Sequence, residues 1–158
     1  MKILIVEDHV EVLECFRSYF GGRGFEVVTA CTVPDAIRLV RAGPLAMAFI
    51  DLRLPGGDGQ QVVREIAALR ETNPDFPMTR MVIVTADDDL NRRQELMRYG
   101  VSHYLFKPIT IRDLEELVSG IMADQSTAID AAPSDDAVSS DYMETEVPPP
   151  ASESSENE

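Results

Sequence analysis

Cysteine is scarce in this chain: Cys15 and Cys31 are the two among 158 residues, and they have no CxxC spacing. Both are read as plain reduced thiols, which leaves no basis for a disulfide framework or a thiolate metal centre. Long apolar runs are missing as well, since none approaches the roughly 18 to 20 residues of a membrane span. The opening, Met1-Lys2-Ile3-Leu4-Ile5-Val6-Glu7-Asp8, turns acidic too early for a secretory signal, so a cytoplasmic location without a membrane partner is expected. Basic residues stop at Arg112; residues 121–158 hold ten acidic residues and no basic one, and the whole chain carries a net charge of −14. Without clustered cations to meet phosphates, direct nucleic-acid binding is excluded.

What is present is a body of about 120 residues, long enough to bury roughly two-thirds of its unfolded surface around one core and too short for two. Short apolar runs alternate with helix-period segments five times, the pattern of a parallel sheet covered by helices on both faces. The expected strands are 2–6, 25–29, 45–50, 81–84 and 102–106. The first, third and fourth are apolar as doubly covered strands must be, whereas the second and fifth carry polar interruptions and read as edges. Those edges imply the order 2-1-3-4-5, which opens a crevice at the carboxyl ends of the first and third strands. Val62, Ile66 and Leu69 mark one amphipathic helix, and Ile111, Leu114, Leu117 and Ile121 mark another. Thr110 with Asp113 reads as a capping box opening the last helix, and Gly100 as the left-handed stop of a helix near 87–99. From about Ala123 the periodicity gives way to Ser, Pro, Asp and Glu. The expected division is a domain over 1–122 and a disordered acidic tail over 123–158.

The residues just past each apolar strand are Glu7-Asp8, Asp51, Thr85 and Lys107-Pro108. Three carboxylates converging on one crevice repel one another unless a cation neutralises them, and an all-oxygen set suits Mg²⁺. With a hydroxyl from Thr85 and an ammonium from Lys107, the set fits phosphoryl transfer to a carboxylate oxygen.

These residues resemble the receiver domain of two-component response regulators, over residues 1 to about 122. The resemblance rests on Glu7-Asp8, on Asp51-Leu52-Arg53-Leu54-Pro55-Gly56-Gly57-Asp58-Gly59, on Thr85-Ala86 and on Tyr104-Leu105-Phe106-Lys107-Pro108. Spacings of 43, 34 and 22 residues between Asp8, Asp51, Thr85 and Lys107 are also similar to the family's. The resemblance implies a flavodoxin-like fold and a phosphorylation-dependent signalling switch, without an attached output module and not an enzyme in its own right. Asp51 is then the phosphoacceptor, supplied by a histidine kinase or phosphotransfer protein. Asp8 and Asp51 bind Mg²⁺ directly, Glu7 acts through water, and the Arg53 backbone carbonyl completes the protein ligands. Thr85 and Lys107 contact the phosphoryl group, Tyr104 is the aromatic switch partner of Thr85, and Lys107-Pro108 is a cis peptide. Arg53 and Asp87 flank the phosphoryl group and tune its lifetime. The face made by the fourth helix, fifth strand and fifth helix carries the signal to a downstream protein target.

Two other classes share parts of this pattern. Haloacid-dehalogenase-type phosphatases use a similar Asp, Thr and Lys set around Mg²⁺, but they call for Asp-x-Asp on the first strand, where this chain has Glu7-Asp8. A flavin-binding module shares the sheet order, but its first loop must cradle a phosphate that Glu7-Asp8 would repel. A receiver that serves only as an interaction scaffold remains the third possibility. His9 and His103 are read as solvent-exposed rather than as ligands. Gly56, Gly57 and Gly59 are read as turn residues that let the loop curl around the site, Gly59 being structural.

Overall fold

The computed structural model describes residues 1–127, with side chains through Ala123. Five parallel strands, β1 (Lys2–Val6), β2 (Glu26–Ala30), β3 (Met47–Asp51), β6 (Arg80–Thr85) and β7 (Val101–Phe106), form one sheet in the order β2-β1-β3-β6-β7. Counted along the main sheet alone this is the expected order 2-1-3-4-5, with β2 and β7 at the edges. Between β3 and the next helix lies a two-stranded antiparallel hairpin, β4 (Arg53–Leu54) and β5 (Gly57–Asp58), that the sequence did not suggest. Its turn is Pro55-Gly56, with Gly56 at φ +74°, a left-handed conformation that glycine adopts without steric cost.

Helices α1 (Val10–Gly21), α2 (Val33–Arg41), α3 (Gln60–Thr72), α4 (Leu90–Arg98) and α5 (Ile111–Thr127) cover both faces of the sheet. Alternation along β1 sends Ile3 and Ile5 toward Phe16, Phe20, Leu114 and Ile121, and Leu4 and Val6 toward Val33, Val40, Val62 and Ile66. Phe49 anchors the first of these layers, its ring centroid 4.8 Å from Phe16 and 5.5 Å from Phe20. Burying strands on both faces in this way holds the carboxyl ends of β1, β3, β6 and β7 in fixed register, and the chemistry stands on those ends.

Two helix boundaries differ from expectation. Helix α4 begins at Leu90 rather than near Asp87, because Asp89 takes the N-cap and accepts from the Asn91 and Arg92 amides. Helix α5 opens on the expected box, with the Asp113 amide donating to Thr110 Oγ1 at 3.3 Å and the Thr110 amide donating to Asp113 Oδ2 at 2.7 Å. It continues to Thr127, past the boundary expected at 122, since no glycine or proline breaks it after Gly120. The acidic tail beyond residue 127 lies outside the described residues. Among those described, no helix is long and apolar enough to cross a membrane.

Helix α4 is tied down by polar contacts more than by burial. Leu96 is its one buried residue, while Arg92 pairs with Asp58, and Glu95 accepts from Gln60 Nε2 at 2.7 Å and Arg64 Nη2 at 2.9 Å. Gly100 closes the segment at φ +88°.

Candidate functional site

Four strand ends meet in the cleft. Asp51 is the last residue of β3 and Thr85 the last of β6, 3% and 2% exposed, while Glu7 follows β1 and Lys107 follows β7. Lys107 Nζ lies 2.7 Å from Asp51 Oδ2 and 2.7 Å from Glu7 Oε2, so one ammonium bridges two buried carboxylates. Asp51 Oδ1 accepts from the Arg53 backbone amide at 2.9 Å, which fixes the rotation of the carboxylate. Burial alone lowers the Lys107 pKa, but the bonds to Asp51 and Glu7 outweigh it and hold the ammonium above its usual range. Burial likewise pushes the Glu7 carboxyl up, and the hydrogen bonds from Lys107 and His9 reverse that and leave it below the ordinary carboxylate value. The Lys107–Pro108 peptide is cis.

The remaining site residues surround this bridge. Thr85 Oγ1 accepts from the Asp87 amide at 3.0 Å, and its own hydrogen is uncommitted among the described residues. Arg53 Nη2 donates to Asp87 Oδ2 at 2.9 Å across the cleft mouth. Tyr104 is half-buried, donates its hydroxyl to the Arg93 carbonyl at 3.1 Å and lies under the Arg93 guanidinium, 4.7 Å from its ring centroid. Burial raises its phenol pKa, with Arg93 acting in the opposite direction. Gly59 is required for a reason other than turn conformation. Its φ of −56° is ordinary, but a Cβ there would lie 1.9 Å from the Asp51 carbonyl oxygen, where the loop folds back onto β3.

The β1–α1 loop holds what sequence reasoning missed. Glu7 Oε1 accepts from the Asp8 amide at 3.1 Å, the His9 amide at 3.0 Å and His9 Nδ1 at 2.9 Å. His9 is exposed as expected, yet its ring turns back onto the carboxylates instead of into solvent. Its hydrogen bond with Glu7 and the charge of Asp8 raise its pKa. His103 is half-buried against Ser102 Oγ at 2.9 Å rather than exposed, because the edge strand β7 carries it beside its neighbour's hydroxyl. Glu7 lies only two residues from His9, and what the sequence does not signal is the rotation that brings the ring back onto its carboxylate.

One atom each from Glu7, Asp8, His9 and Asp51 lies within 4.8 Å of the others. Glu7 Oε2 and Asp8 Oδ1 are shielded from solvent, the first with the Lys107 ammonium at 2.7 Å and the second with His9 Nδ1 at 3.3 Å. Shielded carboxylate oxygens in this number fit a hard divalent cation.

Residues 3–119 match the family model of the response regulator receiver domain. The alginate biosynthesis transcriptional regulatory protein AlgB of Pseudomonas aeruginosa is 32% identical over 107 residues, 68% of this chain and 22% of that protein. The response regulator protein PilR of the same species is 27% identical over 134 residues, 85% of this chain and 29% of its own length. The chain therefore spans under a third of the length of either relative. Among solved structures, the CheY-like receiver domain from Methanospirillum hungatei superimposes with a TM-score of 0.66 at 23% identity, covering 80% of this chain and 97% of that one. The receiver domain of the sensor histidine kinase PA1611 from P. aeruginosa, described with a magnesium ion coordinated in its active-site cleft, gives 0.62 at 24% identity, covering 77% and 97%. At these identities the structural likeness carries the fold.

Proposed function

The chain belongs to the response regulator receiver domain family, and from that membership we propose that it is a cytosolic signalling switch phosphorylated on Asp51 by a histidine kinase or phosphotransfer protein, with Mg²⁺. The observation that carries this reading is the Asp51 carboxylate itself. One oxygen is pinned by the Arg53 amide, and the other meets the Lys107 ammonium at the floor of an open cleft.

In the transfer, an Asp51 oxygen attacks phosphorus, the new P–O bond forms as the P–N bond of a phosphohistidine breaks, and the imidazole leaves with the electron pair. Lys107 then exchanges a carboxylate partner for a phosphoryl oxygen, so its charge is already in place when the negative charge arrives. Thr85 keeps its hydroxyl hydrogen available for a second phosphoryl oxygen. Asp8 and Asp51 would hold Mg²⁺ directly, Glu7 through water, with the Arg53 carbonyl as a further ligand. The ion's contribution is to neutralise the converging carboxylates and the incoming phosphoryl oxygens. The chain acts as substrate and switch rather than as a turnover enzyme. A phosphatase reading has no Asp-x-Asp on β1 to support it.

Phosphorylation adds a charge of about −1.5 to −2 in the cleft, a partner for Thr85 and Lys107 that exists in one state only. If Thr85 moves toward it, the ring of Tyr104 can follow, and with it Arg93 and helix α4. A helix that buries only Leu96 and rests on polar contacts is cheap to displace. Leu90, Met97, Phe106 and Ile111 are exposed on α4, β7 and the start of α5, an apolar surface for a protein target. Incubating the chain with Mg²⁺ and acetyl phosphate and weighing it intact tests the proposal. One labile phosphate is expected on the wild type and none on Asp51→Asn; equal uptake by the variant contradicts it.

A further inference from the structure

The cleft stands on the carboxyl ends of the strands, and the opposite end of the sheet holds a groove that the switch does not use. It lies at the starts of β1, β2, β3 and β6, where Met1, Pro44, Ala46, Pro77 and Met78 line about 500 Å³. Met1 and Met78 are 67% and 77% exposed, an apolar rim open to solvent. The floor is knit across the strand starts, since the Ala46 amide donates to the Lys2 carbonyl at 2.9 Å and the Arg80 amide to the Ala46 carbonyl at 3.1 Å. Pro44 and Pro77 have no amide hydrogen to offer, so an occupant enters by its side chains rather than by adding a strand. Glu26 on the rim is already paired with Lys2 at 3.1 Å. Arg70 and Arg80 flank the Pro77–Met78 segment and have no carboxylate partner among the described residues. Their guanidinium groups donate to carbonyls instead, Arg70 to that of Thr79 and Arg80 to that of Ile121 at 3.4 Å.

The Arg80–Ile121 contact also fixes where the chain leaves the domain. It holds the last part of α5 against the start of β6, and β6 is two strand spacings, about 10 Å, from β1. Residues 128–158 therefore set out from the end of the sheet that carries the groove. They hold nine acidic residues and no basic one, and their single aromatic, Tyr142, stands with Met143 between Asp141 and Glu144. Fifteen residues separate Thr127 from Tyr142, a span of up to about 50 Å when extended, several times what the groove requires. We propose that Tyr142 and Met143 dock into the groove beside Met1 and Met78, with the flanking Asp141 and Glu144 turned toward Arg70 and Arg80. Apolar contact carries the docking, because partly exposed ion pairs contribute little. The tether raises the effective concentration of the segment, so a contact too weak for a free peptide suffices within one chain. The inference is independent of the phosphorylation of Asp51, and it leaves the cleft at the other end of the sheet open.

The test uses the full chain with labelled methionine methyl groups, as wild type and as Tyr142→Ser, a change outside the folded domain. NMR follows the methyls of Met1 and Met78 at the groove and of Met97 on α4 as a control. The tyrosine ring should move the Met1 and Met78 methyls upfield in the wild type, and Tyr142→Ser should abolish that shift while Met97 stays in place. A nuclear Overhauser contact between the Tyr142 ring and the Met78 methyl should appear and should survive tenfold dilution of the chain. Identical Met1 and Met78 signals in the two forms overturn the proposal. So does a shift at Met97 alone, which would put the segment on the α4 face, and so does a contact that fades on dilution, which would make a second copy the occupant.

Discussion

Arg53 and Asp87 meet across the mouth of the cleft, Nη2 to Oδ2 at 2.9 Å, although 34 residues separate them in sequence. The hairpin β4–β5 carries the first and the loop after β6 the second, so the pair ties together two of the segments that follow the strand ends bearing Asp51 and Thr85. An exposed pair of this kind contributes no more than about 0.2 to 1 kcal/mol to stability. Its consequence should therefore appear in the phosphoryl lifetime. Arg53→Ala is expected to shorten the lifetime of the phosphorylated chain a few-fold with almost no change in melting temperature. Following loss of the labile phosphate over time checks this; an unchanged or longer lifetime counts against this role for the pair.

Lys107 is the cation that the described structure supplies to two buried carboxylates, Glu7 and Asp51. Lys107→Ala leaves them facing each other, which should cost on the order of 3 kcal/mol at neutral pH without metal. The sign with pH follows from Glu7. Its folded-state pKa lies below the usual value in the wild type, so its contribution is present above the ordinary carboxylate range and is lost as pH falls through that lowered value. In the variant burial dominates and the pKa rises, so protonation relieves the repulsion early. The stability gap between wild type and variant should shrink as pH drops from 7 toward 4, and adding Mg²⁺ at pH 7 should stabilise the variant more than the wild type. Urea unfolding across that range, with and without Mg²⁺, measures both.

Thr85→Ala removes the hydroxyl that accepts from Asp87 and is available to a phosphoryl oxygen. Uptake of phosphate should persist, because the nucleophile and Lys107 remain. Hydrogen exchange in α4 and β7 should respond to phosphorylation in the wild type and in Thr85→Ser but not in Thr85→Ala. A full response in the alanine variant would break the proposed link from Thr85 to Tyr104.

Gly59 and Gly56 separate space from conformation. Gly59→Ala forces a methyl to within 1.9 Å of the Asp51 carbonyl oxygen and 3.0 Å of Leu52 Cα, so backbone must shift beneath the acceptor. At Gly56 the space is open and only φ +74° is unfavourable. Gly59→Ala should cost at least about 2 kcal/mol and slow phosphorylation. Gly56→Ala should cost roughly 1 kcal/mol and leave the rate alone. Denaturation midpoints that place Gly56→Ala as the worse of the two would contradict this account.

The sheet was legible because burial on both faces leaves unbroken apolar runs, and polar interruptions at Glu26 and at Ser102-His103 marked the edges. Asp51, Thr85 and Lys107 were legible because each stands at or just past the end of such a run. Legibility failed where structure depends on few residues or distant ones. A hairpin of two-residue strands has no period to detect. The start of α4 depended on which of Asp87, Asp88 and Asp89 capped it; Asp89 does, while Asp87 pairs with Arg53. The inward turn of His9 depends on Glu7, whose longer side chain reaches both Lys107 and the loop amides. That Gly59 touches the Asp51 carbonyl reflects how the hairpin folds back, which composition does not encode.

The central claim is that Asp51 is the phosphoacceptor, and reduction of the acyl phosphate tests it most directly. After treatment with acetyl phosphate and Mg²⁺, borohydride converts a phosphorylated aspartate to homoserine, which peptide mass spectrometry locates. The account predicts homoserine at position 51 and at no other aspartate, and none when Mg²⁺ is chelated. An unmodified Asp51 in a chain that has nonetheless gained phosphate would contradict it.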